Sequence, residues 1–145
     1  MIRPRWSRPQ QDERGGIVVE FALVLPLVVF PLLAAILQYG YHYWSLETAS
    51  ATAREAARQL AVGTDPACVV AQAQDHAEGP AMGVVTVTSS PSPPVDGQLV
   101  TVTVSFQSLD LKFLPLSDGG VVTESAVARV QKVRAGSTTD PYLTC

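Results

Sequence analysis

A chain of 145 residues with a net charge of −3 has room for one membrane anchor and one modest folded domain. The mild acidity, and the lack of any Lys/Arg cluster interleaved with aromatics, argue against nucleic acid as a partner. Its two cysteines, Cys68 and Cys145, stand far apart with no C-x-x-C and no nearby His pair, so neither a zinc site nor a thioredoxin-type motif is supported.

Residues 1–14 form a polar leader in which Pro4 and Pro9 discourage a helix. Arg3, Arg5, Arg8 and Arg14 just before an apolar run predict a cytoplasmic N-terminus by the positive-inside rule, and hence a C-terminal part outside the cytoplasm. From Ile17 to Leu37 the only ionisable side chain is Glu20. About 20 apolar residues at 1.5 Å each cross a hydrocarbon core of about 30 Å, so residues 15–38 are read as a single transmembrane helix. Pro26 and Pro31 loosen it in a way a membrane span tolerates. A secretory signal peptide is the competitor. Its apolar region is shorter, about 7–15 residues, and ends in small residues, whereas this run leads into the aromatic cluster Tyr39, Tyr41, Tyr43 and Trp44, the composition of an interfacial belt.

The helical pattern continues over 39–63. Tyr39, Tyr43, Leu46, Ala53, Ala57 and Leu60 recur at spacings of three, four and seven and predict one apolar stripe. Alanines make this segment helix-prone and thin, and Gly63 with Asp65-Pro66 is a stop signal. Residues 64–135 are expected to fold as a small α+β domain outside the cytoplasm. Pro66 to Ala77 makes a second helix with Asp65 as N-cap. Val84–Thr88 and Leu99–Phe106 alternate apolar and polar residues as strands do, with a turn signal at Asp96-Gly97 between them. Glu124–Gln131 is a third strand with helix as its rival because of the alanines. Leu109 to Leu116 reads as a loop packed on the sheet or on a partner, and 136–145 as a polar tail. The fold class is thus α+β and membrane-anchored, with a small antiparallel sheet of about three strands.

Beyond the span lie six basic and ten acidic residues, a net of −4, with no polybasic lipid-binding segment. In an oxidising compartment Cys68 and Cys145 form one disulfide, worth about 4–5 kcal/mol in the chain-entropy model; two unpaired thiols are the alternative. His42 and His76 have no catalytic companion at a recognisable spacing, no G-x-S-x-G frame surrounds any serine, and no glycine loop would cradle phosphate. The residues indicate no enzyme, no metal and no cofactor.

Four stretches carry a resemblance: Arg14-Gly15, Val19-Glu20-Phe21-Ala22-Leu23-Val24-Leu25-Pro26-Leu27, Gln38-Tyr39-Gly40, and Ala53-Arg54-Glu55-Ala56-Ala57-Arg58. Over residues 14–61 the chain resembles the TadE-like family of minor pilins or pseudopilins, from tight-adherence (Flp-type) pilus systems. The resemblance implies a pilin-like fold and a non-enzymatic component of a type IV-like pilus assembly or secretion apparatus. It implies as partners the bilayer, other pilin or pseudopilin subunits, pilus platform proteins and a prepilin peptidase. It also implies peptidase cleavage between Gly15 and Gly16, which makes Glu20 the fifth mature residue and Phe21 the sixth. The new amine on Gly16, with a pKa near 8, then matches the Glu20 carboxylate of its own or a neighbouring chain and selects register. Many prepilins place a larger apolar residue where Gly16 stands, and a permanent single-span anchor remains the other reading of Glu20. The alternative function is an independent membrane-anchored binding domain that recognises a ligand with its sheet.

Overall fold

A computed structural model of the chain describes residues 13–131, apart from 113 and 117 and the side chains of 13 and 14. The polar tail, Cys145 and Arg3, Arg5 and Arg8 of the leader lie outside the described residues.

Helix α1 runs without a break from Glu13 to Ala61, 49 residues, about 74 Å at 1.5 Å per residue. Pro26 and Pro31 sit inside it, each removing one backbone hydrogen bond. At its end Gly63 takes a left-handed φ of 88°, a conformation open to glycine at little cost. There the Gly63 amide donates to the Leu60 carbonyl and the Thr64 amide to the Gln59 carbonyl. This paired 5→2 and 6→1 closure is a Schellman cap, and Arg58 in the last turn complements the helix dipole.

Helix α2, Pro66–Ala77, begins as expected. The Asp65 carboxylate accepts from the amides of Ala67 (2.8 Å) and Cys68 (3.3 Å), and proline stands at the first helical position, where its missing N–H costs nothing. Val69, Ala73 and Ala77, one turn apart, form its buried face.

Strands β1 (Thr86–Ser90), β2 (Leu99–Gln107) and β3 (Val121–Arg129) make an antiparallel sheet in the order β1-β2-β3. β1 starts two residues later than its apolar alternation suggested and extends through Ser89 and Ser90, paired with Val102 and Thr101. β3 starts three residues earlier, at Val121 opposite Gln107. On β2 the inward residues Val100, Val102, Val104 and Phe106 are buried and the outward Thr101, Thr103 and Ser105 are half-exposed, the period-two burial of a one-sided sheet.

That inner face packs on the C-terminal half of α1, chiefly across β2 and β3, while α2 lies over β1. Ala49, Ala53, Ala56, Ala57 and Leu60 form the wall of α1, and Ala126 and Ala128 of β3 pack against the same core. Small residues on both surfaces let the helix approach the sheet closely. The buried stripe of α1 differs from the expected one. Ala53, Ala57 and Leu60 belong to it, but its continuation toward the N-terminus is Ala49, Ser45 and Gln38. Tyr39 and Tyr43 are exposed, rotated off the core face, as suits amphipathic rings at a membrane–water boundary.

Ala53 is fully buried and Ala51 exposed. Ala53→Leu should therefore lower stability by about 1–3 kcal/mol through overpacking, with Ala51→Leu near neutral. Denaturant midpoints of the two variants in the same detergent measure the difference.

Candidate functional site

From Ile17 to Leu37 α1 presents large apolar side chains on all its faces: Leu23, Leu27, Phe30 and Leu37 are each about two-thirds exposed or more. The helix is long and apolar enough to cross a membrane, and among the described residues nothing buries its apolar window. Pro26 and Pro31, which a soluble helix would resist, fall inside that window.

Glu20 and Phe21 are both exposed on this bare segment. Glu20 is one helical turn beyond Gly16, so the two share a face. Neither Gly15 nor Gly16 is there for want of room, since an added Cβ at either would meet nothing within 4 Å. Cys68 is half-buried on α2 and is not a free thiol, while its expected partner, Cys145, lies outside the described residues. Among the described residues no group of three or more His, Cys, Asp and Glu is placed to hold a metal ion. A groove of about 170 Å³ between α1 and α2 is bordered by Thr52, Glu55, Val69 and His76.

Just past the apolar segment the β2–β3 connection, residues 108–120, folds back onto α1. Gln38 is wholly buried, and its Nε2 donates to the Leu114 carbonyl (2.8 Å), with Asp110 Oδ1 at 3.5 Å. The Tyr39 hydroxyl donates to the Pro115 carbonyl (3.2 Å). One turn on, His42 Nδ1 lies 3.1 Å from Ser108 Oγ. The neck of the connection is closed by the Ser108 amide on the Gly120 carbonyl and by Gln107 Nε2 on the Gly119 carbonyl. Gly120 takes a left-handed φ of 80°, which favours glycine, and an added Cβ there would push aside the Gln107 side-chain amide, 2.7 Å away. At the tip Asp110 Oδ1 accepts from the Lys112 amide (2.8 Å) and supports that residue's left-handed φ of 54°, a stabilisation typical of an Asx turn. Sequence reasoning placed this loop on the sheet or a partner; it is in fact clamped to the helix. Gln38, the first polar residue after the apolar run, was the one local signal.

The pattern of a bare apolar helix, one carboxylate near its start and an alanine-faced continuation is matched by a known family. Residues 15–58 match the TadE-like protein family. The TadE-like segment covers α1 almost to its cap and includes none of α2 or the sheet. No curated protein and no solved structure matches the chain. The family points to a Tad pilus-associated component, and the resemblance read from the four motifs is borne out over the helix that carries them.

Loss of the Gln38 clamp should be local. Gln38→Ala removes a bond worth about 1 kcal/mol, so amides of residues 108–120 should exchange about fivefold faster while those of Val102 and Val104 stay unchanged. Equal acceleration of the strand amides in a hydrogen-exchange measurement would mean that Gln38 holds the whole domain instead.

Proposed function

We propose that the chain is a non-enzymatic, minor pilin- or pseudopilin-like component of a Tad-type pilus assembly or secretion apparatus. The observation that carries this is the TadE-like helix itself: the apolar faces of Ile17–Leu37 have no partner among the described residues, and the one carboxylate of that segment, Glu20, sits among them. In this reading α1 spans the membrane with the arginine-rich leader in the cytoplasm and the sheet outside. Other pilin-type or platform-protein helices pack on it.

Cleavage between Gly15 and Gly16 gives Glu20 its purpose. The freed amine becomes the start of the helix one turn from the carboxylate, so the two can pair within one chain or between neighbours. An unmatched carboxylate is penalised in a low-dielectric site and a matched one is not, which selects register. The open space around both glycines supports access by a peptidase, and small residues suit such access.

The second reading, an independent binding domain on a tether, is disfavoured by the core. Ala49, Ala53, Ala56, Ala57 and Leu60 of α1 cover the sheet, so the segment from residue 64 onward would expose Val100, Val102 and Val104 without them. The sheet and the TadE-like helix form one packed unit, and a role built on the helix involves both.

Glu20→Gln keeps size and polarity and removes the charge. It should insert normally, because losing a charge near lipid makes insertion no harder, yet assemble poorly with its partners. Glu20→Ala should behave alike, and Glu20→Asp should retain part of the function. Partner cross-linking at equal membrane abundance reads the order, and normal assembly of Glu20→Gln would remove charge pairing from the mechanism.

Outside the cytoplasm Cys68 pairs with Cys145 in this reading, since such compartments are oxidising. Labelling of the unreduced, denatured protein with a thiol reagent should modify neither cysteine. Two modified cysteines would contradict the pairing.

A further inference from the structure

The level at which the β2–β3 connection meets α1 assigns that connection a partner. The apolar segment Ile17–Leu37 is about 31 Å long at 1.5 Å per residue, which matches a hydrocarbon core of about 30 Å. The acyl chains therefore end near Leu37. The next two residues are the ones the loop grips: Gln38 holds the Leu114 carbonyl and Tyr39 the Pro115 carbonyl. The loop is thus fixed at the depth where α1 leaves the lipid.

Its composition fits that depth. Leu111 is 46% exposed at the tip, and Lys112 beside it is exposed with its backbone turned left-handed. Met82 is tied to the loop's neck through its amide on the Gln107 carbonyl (2.7 Å), and nearby Val84 is 87% exposed. Exposed Tyr39 and Tyr43 mark the same zone on the helix. Exposure alone would not decide this, because Val62, Val95 and Leu99 are also exposed. Those lie toward the opposite end of the domain, where Gln131 donates to the Ala61 carbonyl. Ala61 is 24 residues past Leu37, about 36 Å along the helix.

We propose that the β2–β3 connection is a second membrane contact. Leu111 enters the outer headgroup layer beside α1, and the Lys112 ammonium lies among lipid phosphates, its aliphatic stem along the apolar surface. The partner is the bilayer itself. This rests on the reading of α1 as a membrane span, and the experiment separates the two.

The full chain carries a photoreactive benzophenone side chain at one of three positions and is reconstituted in vesicles of phosphatidylethanolamine and phosphatidylglycerol. Position 33 reports the span, 111 the loop tip and 95 the far end. Irradiation followed by mass spectrometry should find lipid adducts at 33 and at 111, with the yield at 111 several-fold above that at 95. Lys112→Glu should lower the yield at 111 several-fold and leave position 33 unchanged. Adducts at 33 with none at 111, or with 111 no better than 95, overturn the proposal, as do protein adducts at 111 in place of lipid. Failure at 33 instead refutes the spanning helix, and the loop contact falls with it.

Discussion

The contact between the alanine face of α1 and the inner face of the sheet is the interaction on which everything else depends. Ala49, Ala53, Ala56 and Ala57 are all but fully buried, and Ala126 and Ala128 meet the same core from β3. Small side chains on the helix and at these two β3 positions permit a close approach of helix to sheet. That distance brings the β2–β3 connection within hydrogen-bonding range of Gln38 and Tyr39, and lets Gln131 reach the Ala61 carbonyl. A bulky helix face would push the sheet away and leave buried polar groups at both ends unpaired, each at a cost of about 1–3 kcal/mol.

One continuous helix therefore has two surfaces of different character, the first of them long and apolar enough to cross a membrane. Over Ile17–Leu37 its faces are apolar except at Glu20, which suits lipid; from Gln38 onward they differ, with small residues inward and Arg54, Glu55 and Arg58 outward. The change falls at Gln38 because a buried amide there can bond to a folded-back loop, which a side chain deeper in the bilayer could not do. Ser45 and Thr48 donate to their own i−4 carbonyls, Tyr41 and Trp44, so these hydroxyls need no partner outside the helix.

Local signals made much of this readable in the sequence. Asp65-Pro66 and Gly63 mark the boundary between the helices through capping chemistry that is complete within a few residues. The alternation in β2 needs only its own side chains to declare a face. What could not be read depended on distant partners. The stripe of α1 was misjudged at Tyr39 and Tyr43 because period counting favours large apolar residues, whereas this core selects small ones and leaves the aromatics outside. β3 begins at Val121 because the Gly119–Gly120 turn delivers it opposite Gln107; the adjacent Val121 and Val122 break the alternation that would have announced it. The clamp was hidden for the same reason, since Gln38 and Leu114 are 76 residues apart and nothing local at Gln38 names the carbonyl it holds.

The clamp also decides how a bend in the apolar part of α1 reaches the sheet. Pro26 and Pro31 each take one hydrogen bond from the ladder of α1, and both lie on the lipid side of Gln38. Beyond Gln38 the helix has no proline and is braced along its length by the loop, the alanine contact and the Gln131 bond. Bending is therefore easiest within the span and hardest within the domain. Those contacts join the loop, the sheet and the helix beyond Gln38, so a bend at the prolines would tilt them together. Glu20 lies on the other side of both prolines from the sheet, outside this braced part of the helix.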